Sequence, residues 1–144
     1  MTTDVLRANL CLLLLLVAGL FAACSSDSAR IESVLAEYCR SKAEGQYAAY
    51  CKMTGGDLLL SALRDPSFES KLVASGSNLA AQTTVFLEIY VVSIDVDTMK
   101  RQAQAVYLEK YGQSVKTWAV HHHSQLEYID QDWRVISDRI LVAK

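Results

Sequence analysis

The chain has 144 residues, with 14 basic against 16 acidic side chains, a net charge of −2. A balance this close to neutral gives no electrostatic case for nucleic acid or for a polybasic membrane contact. A single proline excludes long proline-rich linkers, and no internal repeat divides the chain.

The first 23 residues read as an export signal, residues 1–23 of the domain plan. Met1 to Arg7 is a weakly positive opening, softened by Asp4, and Ala8 to Ala23 is an apolar run with five leucines from Leu12 to Leu16. The run is shorter than the roughly 20 residues of a spanning helix and fits the apolar core of a secretory signal. Its end, Phe21-Ala22-Ala23-Cys24, resembles the bacterial lipobox: an apolar residue and two small ones before an invariant cysteine, here with Phe21 where leucine is commonest. The resemblance implies diacylglycerol in thioether linkage on Cys24, cleavage before it, and often acylation of the new amine. Two other readings of the residues stay open. One is ordinary signal cleavage after Ser25, which puts the small Ala23 at −3, and the other is an uncleaved anchor. Two or more acyl chains hold a protein firmly, at about 0.8 kcal/mol per buried CH₂. Ser25 after the cysteine resembles the outer-membrane sorting default of lipoproteins in bacteria with two membranes, which would turn the domain toward the periplasm.

Removing 23 of 144 residues leaves 121, enough for one domain with a real core. Residues 24–28 form a short polar tether, and residues 29–144 the folded unit. Of four cysteines, Cys11 leaves with the signal and Cys24 takes lipid, so Cys39 and Cys51 remain as an even pair in an oxidising compartment. They lie six residues either side of Gly45. A chain reversal at Gly45 would let them pair, while one continuous helix would part them by about 18 Å and leave two free thiols.

A helix capped by Asp27 or Ser28 and running to Glu44 carries the apolar stripe Ile31, Val34, Leu35, Tyr38 and Cys39, with Glu32, Glu37, Arg40 and Lys42 on its other sides. A second helical stretch runs from Gln46 to Met53. After Thr54-Gly55-Gly56, Asp57 is expected to cap a short helix, Leu58 to Leu63. Asp65-Pro66 is expected to open another as N-cap and first residue, ending at Ser75 before Gly76. From Thr84 the period becomes 2. Strands are expected at Thr84–Val96, Arg101–Tyr111, Val115–Ile129 and Trp133–Val142, with turns at 97–100, 112–113 and 130–132. Helices followed by an antiparallel meander make an α+β architecture in which helices cover one apolar sheet face. The core is expected to join Trp118, Val120, Leu126, Ile136 and Ile140 to Ile31, Leu35 and Tyr38.

Leading helices and long bent strands that close with the acidic turn Asp130-Gln131-Asp132, then Trp133 and a final strand to Leu141, resemble the nuclear transport factor 2-like (NTF2-like, cystatin-like) cone over roughly residues 28–144. Between Met53 and Asn78 the chain reads as helices where that family usually places a strand pair. The family includes small-molecule enzymes, secretion-apparatus components and inert binding domains, so the resemblance implies a fold and leaves function open.

The candidate chemistry sits on the third strand. Alternation puts His122 with Trp118, Val120 and Leu126, and puts His121 and His123 on the opposite face. A His-x-His pair can give two imidazoles to zinc or copper, but a site needs a third ligand and none is named. A three-residue loop at 130–132 would pair Ser124 with Asp138 and bring His122, Ser124 and Asp138 together on the concave side. Such a histidine beside a carboxylate could act as a general base, whereas a one-residue bulge would send Asp138 outward. Ser124 lacks a nucleophile elbow, and a buried polar network explains the same residues without chemistry. Glycine-rich phosphate loops and Cys-x-x-Cys motifs are absent, and no cofactor is implied. The expected function is a membrane-anchored, non-enzymatic lipoprotein that docks an envelope protein or holds an apolar ligand. The alternative is a small-molecule enzyme with a His122/Asp138 pocket.

Overall fold

The first described helix is built on the apolar stripe. In the computed structural model, which describes residues 27–141, α1 spans 27–44. The signal segment, Cys24 and the end of the expected last strand lie outside the described residues. Ile31, Leu35, Tyr38 and Cys39 of α1 are all buried. The helix ends where Gly45 takes φ of +69°. Gln46 N donates to Ser41 O at 2.8 Å and Gly45 N to Lys42 O at 3.3 Å, the paired bonds that close a helix on a left-handed glycine. The chain reverses into α2, Tyr47–Met53.

Thr54 Oγ1 folds back onto Tyr50 O at 3.0 Å, and its backbone makes a lone parallel bridge to Val135. Helices follow, α3 at Gly56–Arg64 and α4 at Phe68–Ala81. Two expected helix boundaries are corrected. Gly55 holds the N-cap position of α3, so Asp57 lies in the first turn, where its charge still favours the helix dipole. Asp65 does not open α4 directly. Its Oδ1 accepts from Ser67 N at 2.9 Å and Ser67 Oγ at 2.6 Å, which closes a turn around Pro66 before the helix starts.

Gly76 does not stop α4, because it serves a close contact. A Cβ there would come within 2.6 Å of Gly45 N and 2.7 Å of Glu44 C. Gly45 is itself hemmed in, since a Cβ on it would meet Val73 Cα at 2.9 Å. Gly76→Ala should gain about 1 kcal/mol in helix propensity and lose more to overpacking against backbone that cannot retreat, for a net destabilisation of about 1–3 kcal/mol. A denaturant midpoint equal to or above that of the parent would contradict this contact.

The sheet is an antiparallel meander in the order β1-β2-β3-β4, with β1 at Thr84–Asp97, β2 at Gln102–Gln113, β3 at Lys116–Ile129 and β4 at Asp132–Ile140. The middle turn lies later than expected. Pairing continues through Gln113↔Lys116, and Ser114, at φ of 50°, makes the reversal with Val115. Leu87 and Val92 are extra residues at the two register shifts of β1, and such bulges bend a strand. A third shift makes Ile136 the extra residue of β4.

The core joins Ile31, Leu35, Tyr38, Cys39 and Tyr50 to Ala103, Ala105, Tyr107, Leu126, Trp133 and Val135. Four of the strand residues expected in the core lie outside it: Trp118 and Ile140 are exposed, and Val120 and Ile136 are half-buried. Trp118 is 40% and Ile140 63% exposed. They share the concave face but stand toward the β2–β3 end, where Trp118 stacks on Tyr111 at 5.9 Å. Ile136, displaced by its bulge, lies half-buried against Gly56.

Candidate functional site

The concave face carries charge at its centre. β2 presents Tyr107, Glu109 and Tyr111, β3 presents His122 and Ser124, β4 presents Asp138, and α1 lays Tyr38, Cys39 and Lys42 across them. Ser124 pairs with Asp138 and His122 with Ile140, so the structure does bring His122, Ser124 and Asp138 together. The route differs from the expected one. The hairpin loop has two residues, with Ile129 opposite Asp132, and the bulge at Ile136 restores the register. The bulge turns Asp138 inward, not outward.

Asp138 is the hub. Its Oδ1 accepts from Ser124 Oγ at 2.8 Å and Tyr107 Oη at 3.4 Å, and meets His122 Nδ1 at 3.1 Å. Its Oδ2 accepts from Tyr38 Oη and Lys42 Nζ, each at 3.3 Å. Glu109 is the second anion. Its Oε1 accepts from Tyr111 Oη at 2.7 Å. Its Oε2 lies 2.9 Å from His122 Nε2 and 3.7 Å from Lys42 Nζ. The Nε2 contact is an ion pair without hydrogen-bond alignment, because the N–H does not aim at the oxygen. Tyr107 stacks on the imidazole at 5.3 Å.

The cluster balances its charges. Burial disfavours an imidazolium, but Asp138 and Glu109 outweigh it and push the His122 pKa up to about 9. Burial opposes ionisation of Asp138, yet the bond from His122 and the charge of Lys42 hold it below the usual carboxylate range. Glu109 is lowered against the same burial by His122, Lys42 and Tyr111. At neutral pH two cations, Lys42 and His122, therefore face two anions, Glu109 and Asp138. A protonated His122 cannot take a proton. Burial, above all, pushes the Cys39 thiol up to about 12, so no thiolate nucleophile forms. His122 is only 3% exposed, and Ser124, Glu109 and Tyr107 are equally enclosed.

The other candidates stand apart. His123 Nε2 lies 3.3 Å from Gln104 Oε1, and its Nδ1 is 3.3 Å from the Arg139 guanidinium, a neighbour that opposes a metal cation. Among the described residues no three potential ligands gather around His121 and His123. Cys39 and Cys51 are free thiols. The chain does reverse at Gly45, but Cys39 faces the sheet, its Sγ 3.7 Å from Tyr107 Oη, while Cys51 lies beside Tyr47 of its own helix.

Two charged members, Glu109 and Lys42, were not expected in the cluster, nor were Tyr38, Tyr107 and Tyr111, which bond to its carboxylates. Both charged residues left a signal. Glu109 continues the alternation Ala103, Ala105, Tyr107 that makes one face of β2, and Lys42 follows Tyr38 by four residues along the apolar stripe of α1.

No protein-family model and no curated protein matches the chain. Solved structures share its fold. An NTF2-like protein of unknown function from Shewanella oneidensis MR-1 aligns with a TM-score of 0.52 at 14% identity, covering 79% of this chain and 98% of that one. The intermembrane space region of the chloroplast protein ARC6 aligns with a TM-score of 0.51 at 10% identity, covering 78% and 95%. Likeness at such identity speaks for fold alone. The helices and meander form an α+β cone of the NTF2-like class, with helices α3 and α4 standing where a strand pair was the family expectation.

Proposed function

We propose that this chain is a lipid-anchored envelope protein whose NTF2-like domain is a non-enzymatic binding or assembly module. The observation that carries the reading is the charge-matched cluster in the cone: His122 and Glu109 are buried, Asp138 and Lys42 largely so, and each charge faces an opposite one. A histidine acting as general base needs a substrate within hydrogen-bond reach and an imidazole that is neutral at working pH. This one is bracketed by two carboxylates. Among the exposed apolar side chains, Val115, Trp118, Ile140 and Leu141 gather at the sheet end, a patch of the kind that meets an envelope protein or an apolar ligand. Among the described residues no helix is long and apolar enough to cross a membrane, and the proposed attachment is Cys24.

Intact-mass analysis of membrane-extracted protein should give diacylglycerol on a chain beginning at Cys24. Cys24→Ser should release the domain or leave the precursor uncut. A soluble product beginning at Ser26 without acyl mass would sink the anchor.

A further inference from the structure

We infer that the domain stands on the bilayer on one end, the β1–β2 turn at Thr98–Arg101 beside the β3–β4 turn at Asp130 and Gln131, and holds its β2–β3 end away from the lipid. The inference rests on the lipid anchor at Cys24 and adds the surface that meets the membrane. Helix α1 is already formed at Asp27, three residues after Cys24. Three residues span at most about 11 Å, so Asp27 is held close to the headgroups.

Asp27 belongs to one end of the cone. Its Oδ1 accepts from Trp133 Nε1 at 3.4 Å. With Thr98, Arg101, Tyr128 and Trp133 it lines a shallow depression of about 200 Å³. Arg101 O accepts from Tyr128 N at 2.9 Å, and the Arg101 guanidinium lies 4.3 Å over the Tyr128 ring. One turn into α1, Arg30 donates to Gln131 O at 3.1 Å. The start of the first helix and both turns are thus one surface. Its outermost apolar group is Met99, 93% exposed, a flexible thioether side chain suited to the interfacial layer. Asp27, Asp97, Asp130 and Asp132 stand against Arg30, Lys100 and Arg101 here, so the end has no cationic excess, and Lys100 pairs with Asp97 at 3.4 Å and Arg30 with Asp132 at 3.7 Å. The contact is therefore apolar and interfacial, with no call for anionic lipid.

In the upright orientation the opposite end is held clear of that contact. The 12 residues of β2, with about 3.3 Å between successive residues, set its two ends about 36 Å apart. That is roughly three times the reach of the tether. Val115 stands at the far end, 96% exposed.

The test uses the full chain, exported, purified from membranes and reconstituted in phosphatidylcholine vesicles that carry a nitroxide on the lipid headgroup. Trp118→Phe removes the exposed tryptophan, and the quenching of the buried Trp133, measured in that protein alone, is subtracted as the background. Met99→Trp or Val115→Trp then reports on each end, and the exposure of both sites leaves folding intact. The tryptophan at 99 should lose most of its fluorescence to the nitroxide, and the one at 115 should keep it. Equal quenching at both ends, or stronger quenching at 115, overturns the orientation. The acyl mass of the same preparation separates the two claims. An acylated chain with equal quenching refutes the orientation alone, whereas a chain without acyl mass refutes the anchor and the orientation with it.

Discussion

Asp138→Ala should destabilise the domain by about 3–5 kcal/mol, the range for removing one partner of a buried ion pair and leaving the other charge without compensation. Its carboxylate receives Ser124, Tyr107, Tyr38 and Lys42 as hydrogen-bond donors and pairs with His122. Without it, Glu109 alone faces Lys42 and His122, and three hydroxyls lose an acceptor. Asp138→Asn keeps the shape and some of the acceptors and should lose less. A solvent-open catalytic carboxylate behaves in the opposite sense, since removing strained active-site charge commonly raises stability. The measurement is the urea midpoint at constant slope. A loss below about 1 kcal/mol, the scale of an exposed pair, would mean that Asp138 is not buried among its partners.

The second large effect is alkaline destabilisation centred on His122. Its ordinary value of 6.5 rises to about 9 in the fold, so the folded state binds the proton more tightly than the unfolded state. The stability from this preference is full below pH 6.5 and disappears as pH climbs through 9, with an upper bound of about 3 kcal/mol. Lys42, whose pKa is raised, and Cys39, near 12, keep their charge states across that window. On the acid side Asp138 and Glu109, both lowered, contribute stability that is present above the ordinary carboxylate range and lost as pH falls below it. Stability should therefore peak between roughly pH 5 and 6.5 and decline earlier toward alkali than a plateau through neutral pH would allow. His122→Gln should lower the peak and flatten its alkaline flank. A parent protein equally stable at pH 6 and pH 9 would contradict the charged imidazole.

Much of this cone is written as periodicity. The stripe Ile31, Leu35, Tyr38 and Cys39 and the alternation along the strands are local patterns, and both place residues on faces without knowledge of the tertiary structure. What local pattern does not carry is count along a strand. The β3–β4 register came out right at Ser124 and Asp138 only because two departures cancel: the loop is one residue shorter than the acidic turn implies, and Ile136 adds one back as a bulge. Gly76 reads as a helix stop, yet its role is set by Gly45, a residue 31 positions away in the chain. The charged cluster was half legible. His122 and Asp138 stand out by type, while Lys42 and Glu109 each look like ordinary surface charge until the face they share with apolar neighbours is followed through. The end of the hydrophobic face was harder still. Trp118 and Ile140 have the correct parity for the core, but parity does not say how far along a strand the helices reach.

The most direct test of the sealed, charge-balanced cluster is nitrogen-15 NMR of the His122 imidazole in the folded protein. At pH 7 both ring nitrogens should carry protons, their shifts should move only as pH approaches 9, and the ring protons should exchange slowly with water behind Tyr107 and α1. An imidazole that is neutral at pH 7, titrates near 6.5 and exchanges freely would instead describe an open histidine available as a base, and would contradict the account.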